Sequence, residues 1–281
     1  MTEETPEAET PAWRRNAPLA AGIVVLAGLG FAAWQWLLPE GPPEVSKPPA
    51  AAPATLPPPP PEPAVANPLE TPPDAPAAPT AADLENALTA LAGAETVQSL
   101  FRLQDLPRRI VTTVDNLGRA QVSSSLWPVK PPAGEFTTDR SGDAEVIASA
   151  NYARYATHVA ALEAVDAAAA AQAYRRLYPL LQQSYEDLGY PGKYFNDRLV
   201  TVIDLLLATP EPPGPLRVRL PEFGADMKPE RPWVLYEYED PALQQLSAGQ
   251  RILLRMGPDN LRRVKAKLRE IRAEVATAPV T

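Results

Sequence analysis

Three patterns of apolar and polar positions follow one another along the chain. From Ala17 to Leu38 no residue is charged and almost none is polar, whereas from Pro39 to Thr80 proline, alanine and acidic residues dominate. From Ala81 to Ala276 apolar positions recur mostly at helical spacing. The first pattern predicts a transmembrane helix over residues 17–38, because ~20 apolar residues rising 1.5 Å each match a hydrocarbon layer of ~30 Å. The second predicts a disordered Pro/Ala-rich linker over 39–80, with too little apolar surface to offset the entropy of ordering. The third predicts one soluble domain over 81–276. The fold class expected is mostly α, a single helical domain with a small accessory β-hairpin or sheet. Residues 1–16 and 277–281 remain as tails.

Within the domain, Thr80 and Asp83 have the spacing of a capping box before Leu84, Leu88 and Leu91. Helices follow at Glu95 to Phe101 and Leu106 to Leu117, then a Pro/Gly loop and a short strand at Phe136 to Thr138. Tyr152, Tyr155, Val159 and Leu162 form one stripe at helical spacing. Asp166 is placed to cap a helix that carries Tyr174, Leu177, Leu181 and Tyr185, with a kink expected at Pro179. After the break Gly189-Tyr190-Pro191-Gly192, the stretch from Tyr194 to Ala208 is apolar nearly all round, as a central buried helix is. Leu216 to Leu220 and Trp233 to Tyr238 read as strands that pair with each other. Ser247 and Gln250 repeat the capping-box pattern, and Gly257-Pro258 separates that helix from the last one. There Leu261, Val264, Leu268, Ile271 and Val275 make the docking side. Arg262, Arg263, Lys265, Lys267, Arg269 and Arg272 are expected to form a solvated cationic face.

Several strings in this region resemble an uncharacterised proteobacterial domain-of-unknown-function family. They are Asn151-Tyr152-Ala153-Arg154-Tyr155, Tyr174-Arg175-Arg176-Leu177-Tyr178-Pro179, Leu188-Gly189-Tyr190-Pro191, Tyr194-Phe195-Asn196-Asp197-Arg198-Leu199 and Leu253-Leu254-Arg255-Met256-Gly257-Pro258. The resemblance covers most of Ala81 to Ala276. It implies bacterial single-pass membrane proteins with the same anchor, tether and domain, and it brings no reaction and no functional residues.

Charge adds an orientation. Arg14 and Arg15 precede the apolar run and the first charges beyond it are Glu40 and Glu44, so the N-terminus is expected in the cytoplasm and the domain in the periplasm of a bacterial inner membrane. Trp13, Trp34 and Trp36 stand where aromatic rings favour the headgroup zone. The run is too long for a signal-peptide core and leads into no small-residue cleavage site, which makes it an uncleaved anchor. Of the net charge of −8, residues 1–15 hold −2 and residues 39–80 hold −4, which leaves the domain near −2. A nucleic-acid partner is therefore disfavoured. The chain has no cysteine, which excludes disulfides, thiolate nucleophiles and cysteine-ligated metals.

The chemistry that remains is sparse. His158 is the single histidine and lies with Asn151 and Arg154 on the polar side of its predicted helix. Alone it makes no histidine zinc site, and it reads as a solvated or hydrogen-bonded structural residue. Ser123-Ser124-Ser125 is no nucleophile elbow, no Ser-x-x-Lys occurs, and no glycine cluster cradles phosphate. Asp197, Thr201 and Asp204 fall at i, i+4 and i+7 of the central helix. They form either a structural polar stripe held by arginines such as Arg175, Arg176 or Arg198, or an acid/base pair. All nine tyrosines lie between Tyr152 and Tyr238. Tyr190, Lys193, Tyr194, Asn196 and Arg198, with Asn151 and Tyr155, make the candidate binding surface, since flat amphipathic rings suit sugars and peptides. No metal and no cofactor is expected. The function expected is a noncatalytic envelope scaffold that holds the bilayer through residues 17–38 and a protein or peptidoglycan partner through its domain. The alternatives are an acid/base enzyme on a wall or sugar substrate, and a cytoplasmic-facing nucleic-acid or regulatory protein.

Overall fold

Thr80 opens the first helix by the local chemistry its sequence predicts. Its hydroxyl accepts the Asp83 N–H at 3.3 Å and the Asp83 carboxylate accepts the Thr80 N–H at 2.8 Å. The computed structural model describes residues 64–276 apart from 71, 77, 122 and 223–228. The expected anchor over 17–38, most of the linker and both tails lie outside these residues. Among the described residues no helix is long and apolar enough to cross a membrane.

Helices α1 (Ala81–Ala92), α2 (Ala94–Leu100) and α3 (Leu106–Leu117) come first. A hairpin of β1 (Thr138–Ser141) and β2 (Ala144–Ile147) follows, in antiparallel register Thr138 to Ile147. Its turn carries Gly142 at a φ of 64°. Next are α4 (Ala150–Arg154), α5 (Ala156–Ala164), α6 (Ala167–Asp187) and α7 (Phe195–Leu207). Helix α6 is capped by Asp166, which accepts the Ala169 N–H at 2.7 Å, and it continues through Pro179. Strands β3 (Val218–Arg219) and β4 (Glu237–Tyr238) pair antiparallel, Val218 opposite Tyr238, and are shorter than the expected 216–220 and 233–238, where Pro232–Val234 instead forms a 3-10 turn. The Ile147 N–H bonds Leu216 O at 3.0 Å, so the two strand pairs meet along one edge. Helices α8 (Pro241–Gln244), α9 (Ala248–Arg255) and α10 (Pro258–Val275) complete the chain. Ser247 and Gln250 form the second capping box. The described residues are thus mostly helical with a small pair of two-stranded sheets.

Helix α7 is the hub because, outside the narrow stripe of Asp197, Thr201 and Asp204, its apolar side chains enter three separate cores. Val202 and Leu206 join the core beneath the strands with Val159, Tyr238, Leu253 and Leu261. Phe195 joins a second core with Leu106, Val111, Leu177 and Tyr185. Val200 and Ile203 face Ala171 and Val275 in a third. Helices α3, α6, α9 and α10 all pack against it. Gly249 lets α9 come close: a Cβ there would stand 2.6 Å from a Leu206 methyl and 3.0 Å from Leu117 O.

Four expectations change. The tyrosine stripe from Tyr152 to Leu162 is not one helix but two, α4 and α5, joined at Tyr155. The polar side of that segment does not face water. Asn151 is fully buried and bonds Thr137 O and Ala148 O at 2.5 and 2.9 Å, while its own oxygen accepts the Thr137 N–H at 3.0 Å. Arg154 donates to Ala133 O and Gly134 O, and His158 Nε2 lies 2.9 Å from Lys130 O. Loop 130–137 has few backbone partners of its own, and these side chains supply them. Nor is the cationic face of α10 wholly solvated. Lys265 is buried, its ammonium on Thr209 O at 2.8 Å and Glu211 at 2.9 Å, and buried Arg272 pairs with Asp204. Finally, Ala66, Asn67 and Asp74, inside the expected linker, bond to the domain, and Asn67 and Pro79 are buried.

Candidate binding surface

The loop between α6 and α7 is fixed from both sides. Gln182 of α6 donates to Lys193 O at 2.8 Å, and its own oxygen accepts the Phe195 N–H at 2.8 Å. Tyr190 then lies flat on Tyr185, with ring centroids 4.6 Å apart and planes 20° apart. The Lys193 ammonium sits 5.5 Å from the centroid of the Tyr190 ring. Stacking and cation–π geometry of this kind hold an otherwise exposed loop in one shape.

The anchor beneath this loop is Asp115, which the sequence reading did not single out. It is 7% exposed, on the buried side of α3 one turn after Val111. Its carboxylate accepts from Arg198 Nε at 3.0 Å, Arg119 Nη2 at 2.5 Å and the Tyr190 hydroxyl at 3.0 Å. Arg198 Nη2 also donates to Asp115 O at 2.7 Å, and Gly118 leaves the guanidinium its room. Asp115 holds the Arg119 guanidinium above its ordinary pKa through that hydrogen bond and its charge. One carboxylate thus compensates two guanidinium groups, and Arg119, half-exposed, reaches the surface beside Tyr190. A signal was available: an aspartate at i+4 from Val111 stands on the apolar stripe, where a buried charge needs partners.

The structure sorts the other expected residues into separate places. Tyr190 and Lys193 share the ledge, and Arg198 lies under it. Tyr194 precedes α7 and is half-buried. Asn196 is internal, 1% exposed, and donates to Asn67 O and Val275 O while accepting the Tyr174 hydroxyl at 3.2 Å. Asn151 and Tyr155 belong to the core beneath the strands, away from the ledge. Burial pushes the Tyr155 phenol up, and the Tyr174 phenol well above its ordinary value, so both stay neutral.

The stripe on α7 is held, though not by the arginines considered. Asp197 accepts the N–H groups of Ala66 and Asn67 at 3.1 and 2.7 Å. The Thr201 hydroxyl donates to Asp197 O at 2.7 Å. Asp204 pairs with Arg272, whose pKa is raised by that hydrogen bond. Arg175 donates instead to Glu274 O, and Arg176 to Asp74. Each carboxylate is therefore committed to its own partner, which is the structural arrangement and not a shared-proton pair. Among the described residues no group of three or more His, Asp or Glu could hold a metal ion.

The family model described as "Protein of unknown function (DUF3014)" covers residues 106–272. No curated protein and no solved structure matches the chain.

Proposed function

The chain belongs to the DUF3014 family of proteins of unknown function, and from that premise we propose a single-pass inner-membrane protein of proteobacteria with a scaffolding domain in the periplasm. The single observation that carries this reading is the uncharged run from Ala17 to Leu38 behind Arg14 and Arg15. That run has the length and the flanking charge of a helix that stays in the bilayer with its N-terminus inside. The Pro/Ala-rich stretch that begins at Pro39 then acts as a spacer, since proline favours an extended ~3.1 Å per residue.

The domain engages its partner, a protein or the peptidoglycan, on the ledge of Tyr190, Lys193 and Arg119. The ring offers an apolar face, and the two cations suit the carboxylates of wall peptides or of an acidic protein surface. The commitment of Asp197 and Asp204 to separate partners removes the support that an acid/base reading would draw from them.

Fusions of alkaline phosphatase and of green fluorescent protein after Thr281 test the orientation. Active phosphatase with a dark fluorescent fusion is the expected result. Fluorescence without phosphatase activity overturns the proposal and turns the search toward cytosolic partners.

A further inference from the structure

Asn196 and Asp197 are adjacent in sequence and together read both sides of one residue outside the helical domain. The Asp197 carboxylate accepts the N–H groups of Ala66 and Asn67, and the Asn67 side-chain amide at 3.3 Å. Asn196 donates to Asn67 O at 2.8 Å. Residue 67 is therefore held through its N–H, its C=O and its side chain, much as a neighbouring strand would hold a peptide. Further along, Arg176 takes the Asp74 carboxylate at 2.6 Å. Between these two clamps a cleft of about 600 Å³ separates Leu69 and its flanking prolines from Gln172, Arg175 and the end of α10.

Two features make this a recognition site rather than a seam of the core. The contacts that fix the strap at Asn67 and Asp74 are polar. Of the segment 64–70 only Asn67 is buried, and Asp74 is exposed, which places the strap among the least stable parts of the molecule. The readers also lie within the family match over 106–272, whereas the segment they hold lies outside it.

We propose that the N-terminus of α7, with the facing sides of α6 and α10, is a peptide-binding groove, and that residues 64–70 and 72–76 are its resident, exchangeable ligand. The partner chemistry is set by the contacts: a small residue followed by asparagine and proline, then an acid seven residues after the asparagine. In the intact chain the strap occupies the groove in cis, because its attachment at Thr80 gives it an effective concentration on the order of millimolar. A free peptide of this pattern binds only when the strap is weakened. This inference does not depend on the bilayer reading.

The test uses the full chain. The double variant Ala66→Pro/Asn67→Ala removes one N–H and the reading amide from the strap and leaves the groove intact. A labelled peptide of native residues 64–76 is expected to bind this variant saturably and at least ~10-fold more tightly than it binds the wild type. Adding Asp197→Ala, or the milder Asp197→Asn, is expected to abolish that gain. Hydrogen exchange on the otherwise native chain is expected to show the amides of 66 and 67 protected, and Asp197→Ala to lower that protection. Equal peptide binding to all chains, or no binding to the strap variant, overturns the proposal. So does protection at 66 and 67 that Asp197→Ala leaves unchanged. Because the chain lacks cysteine, Asp74→Cys/Arg176→Cys with a short bismaleimide settles the occupant. An internal link is expected, and a covalent dimer would overturn the cis arrangement.

Discussion

Replacing Asp115 by asparagine keeps its shape and removes its charge, and the structure allows the effect to be worked out. Three donors converge on that carboxylate: two guanidinium groups and a phenol. An asparagine offers one acceptor oxygen and turns its NH2 toward at least one of those donors. Loss of one partner of a fully buried ion pair costs about 3–5 kcal/mol. Here the Arg198 side chain keeps 27% of its exposure and Arg119 keeps 53%, so water recovers part of the loss and about 2 kcal/mol is expected for Asp115→Asn. Arg119→Ala removes only the more exposed pair and is expected to cost roughly 0.5 kcal/mol. Arg198→Ala resembles the aspartate change, and the Asp115/Arg198 double variant costs clearly less than the two singles together, because both remove one shared interaction. Urea denaturation followed by far-UV circular dichroism measures all four. At this size about 2 kcal/mol corresponds to a melting shift of roughly 4–8 °C. A loss for Asp115→Asn no larger than that for Arg119→Ala, or strict additivity with Arg198→Ala, would refute the account of Asp115 as the buried anchor.

Other outcomes follow from single contacts. Gly257→Ala meets both a φ of 86° and the Tyr152 ring 2.5 Å from the new Cβ, and a loss of about 2–4 kcal/mol in thermal unfolding is expected. Lys265→Ala leaves Thr209 O without its buried donor and Glu211 without its partner; about 2 kcal/mol is expected in the same assay, and Lys265→Arg should restore little because the site fits a single ammonium. Glu211 is held below its ordinary pKa by the hydrogen bond from Lys265. A lowered carboxylate adds stability that is whole above its unfolded pKa and is lost as pH falls through the folded one. Stability should therefore decline on the acid side of the ordinary carboxylate range, and Glu211→Gln should make that decline shallower in an acid titration. Tyr190→Phe keeps the stack on Tyr185 and deletes the bond to Asp115, so a small loss, roughly 0.5–1 kcal/mol, is expected with the loop geometry retained.

What was legible in the chain was what is local. The boxes at Thr80/Asp83 and Ser247/Gln250, the cap at Asp166 and the pairing of residues 218–219 with 237–238 each depend on a few neighbouring residues, and each is found. The central place of α7 was legible because its apolar residues circle nearly the whole helix. What was not legible depends on which distant carbonyl or carboxylate arrives. Asn151, Arg154 and His158 share a polar face, which periodicity assigns to water. Only the approach of loop 130–137 makes that face internal. Lys265 and Arg272 looked like their exposed neighbours on α10 until Glu211 and Asp204 met them. The binding set was split for the same reason. Tyr190 and Lys193 are three positions apart in sequence and adjoin in space, whereas Asn196 turned inward because Asn67 and Val275 come to it from far along the chain.

That last pair of bonds has a topological consequence. One amide, on Asn196, touches a carbonyl near the start of the described chain and another near its end. The two ends of the fold therefore leave from the same spot, and nearly the whole domain is a loop closed at its neck. Such a unit can be spliced into another protein or cut open elsewhere without losing its packing. A circular permutant that joins the neck with a short linker and opens the exposed β1–β2 turn at Gly142 should still fold.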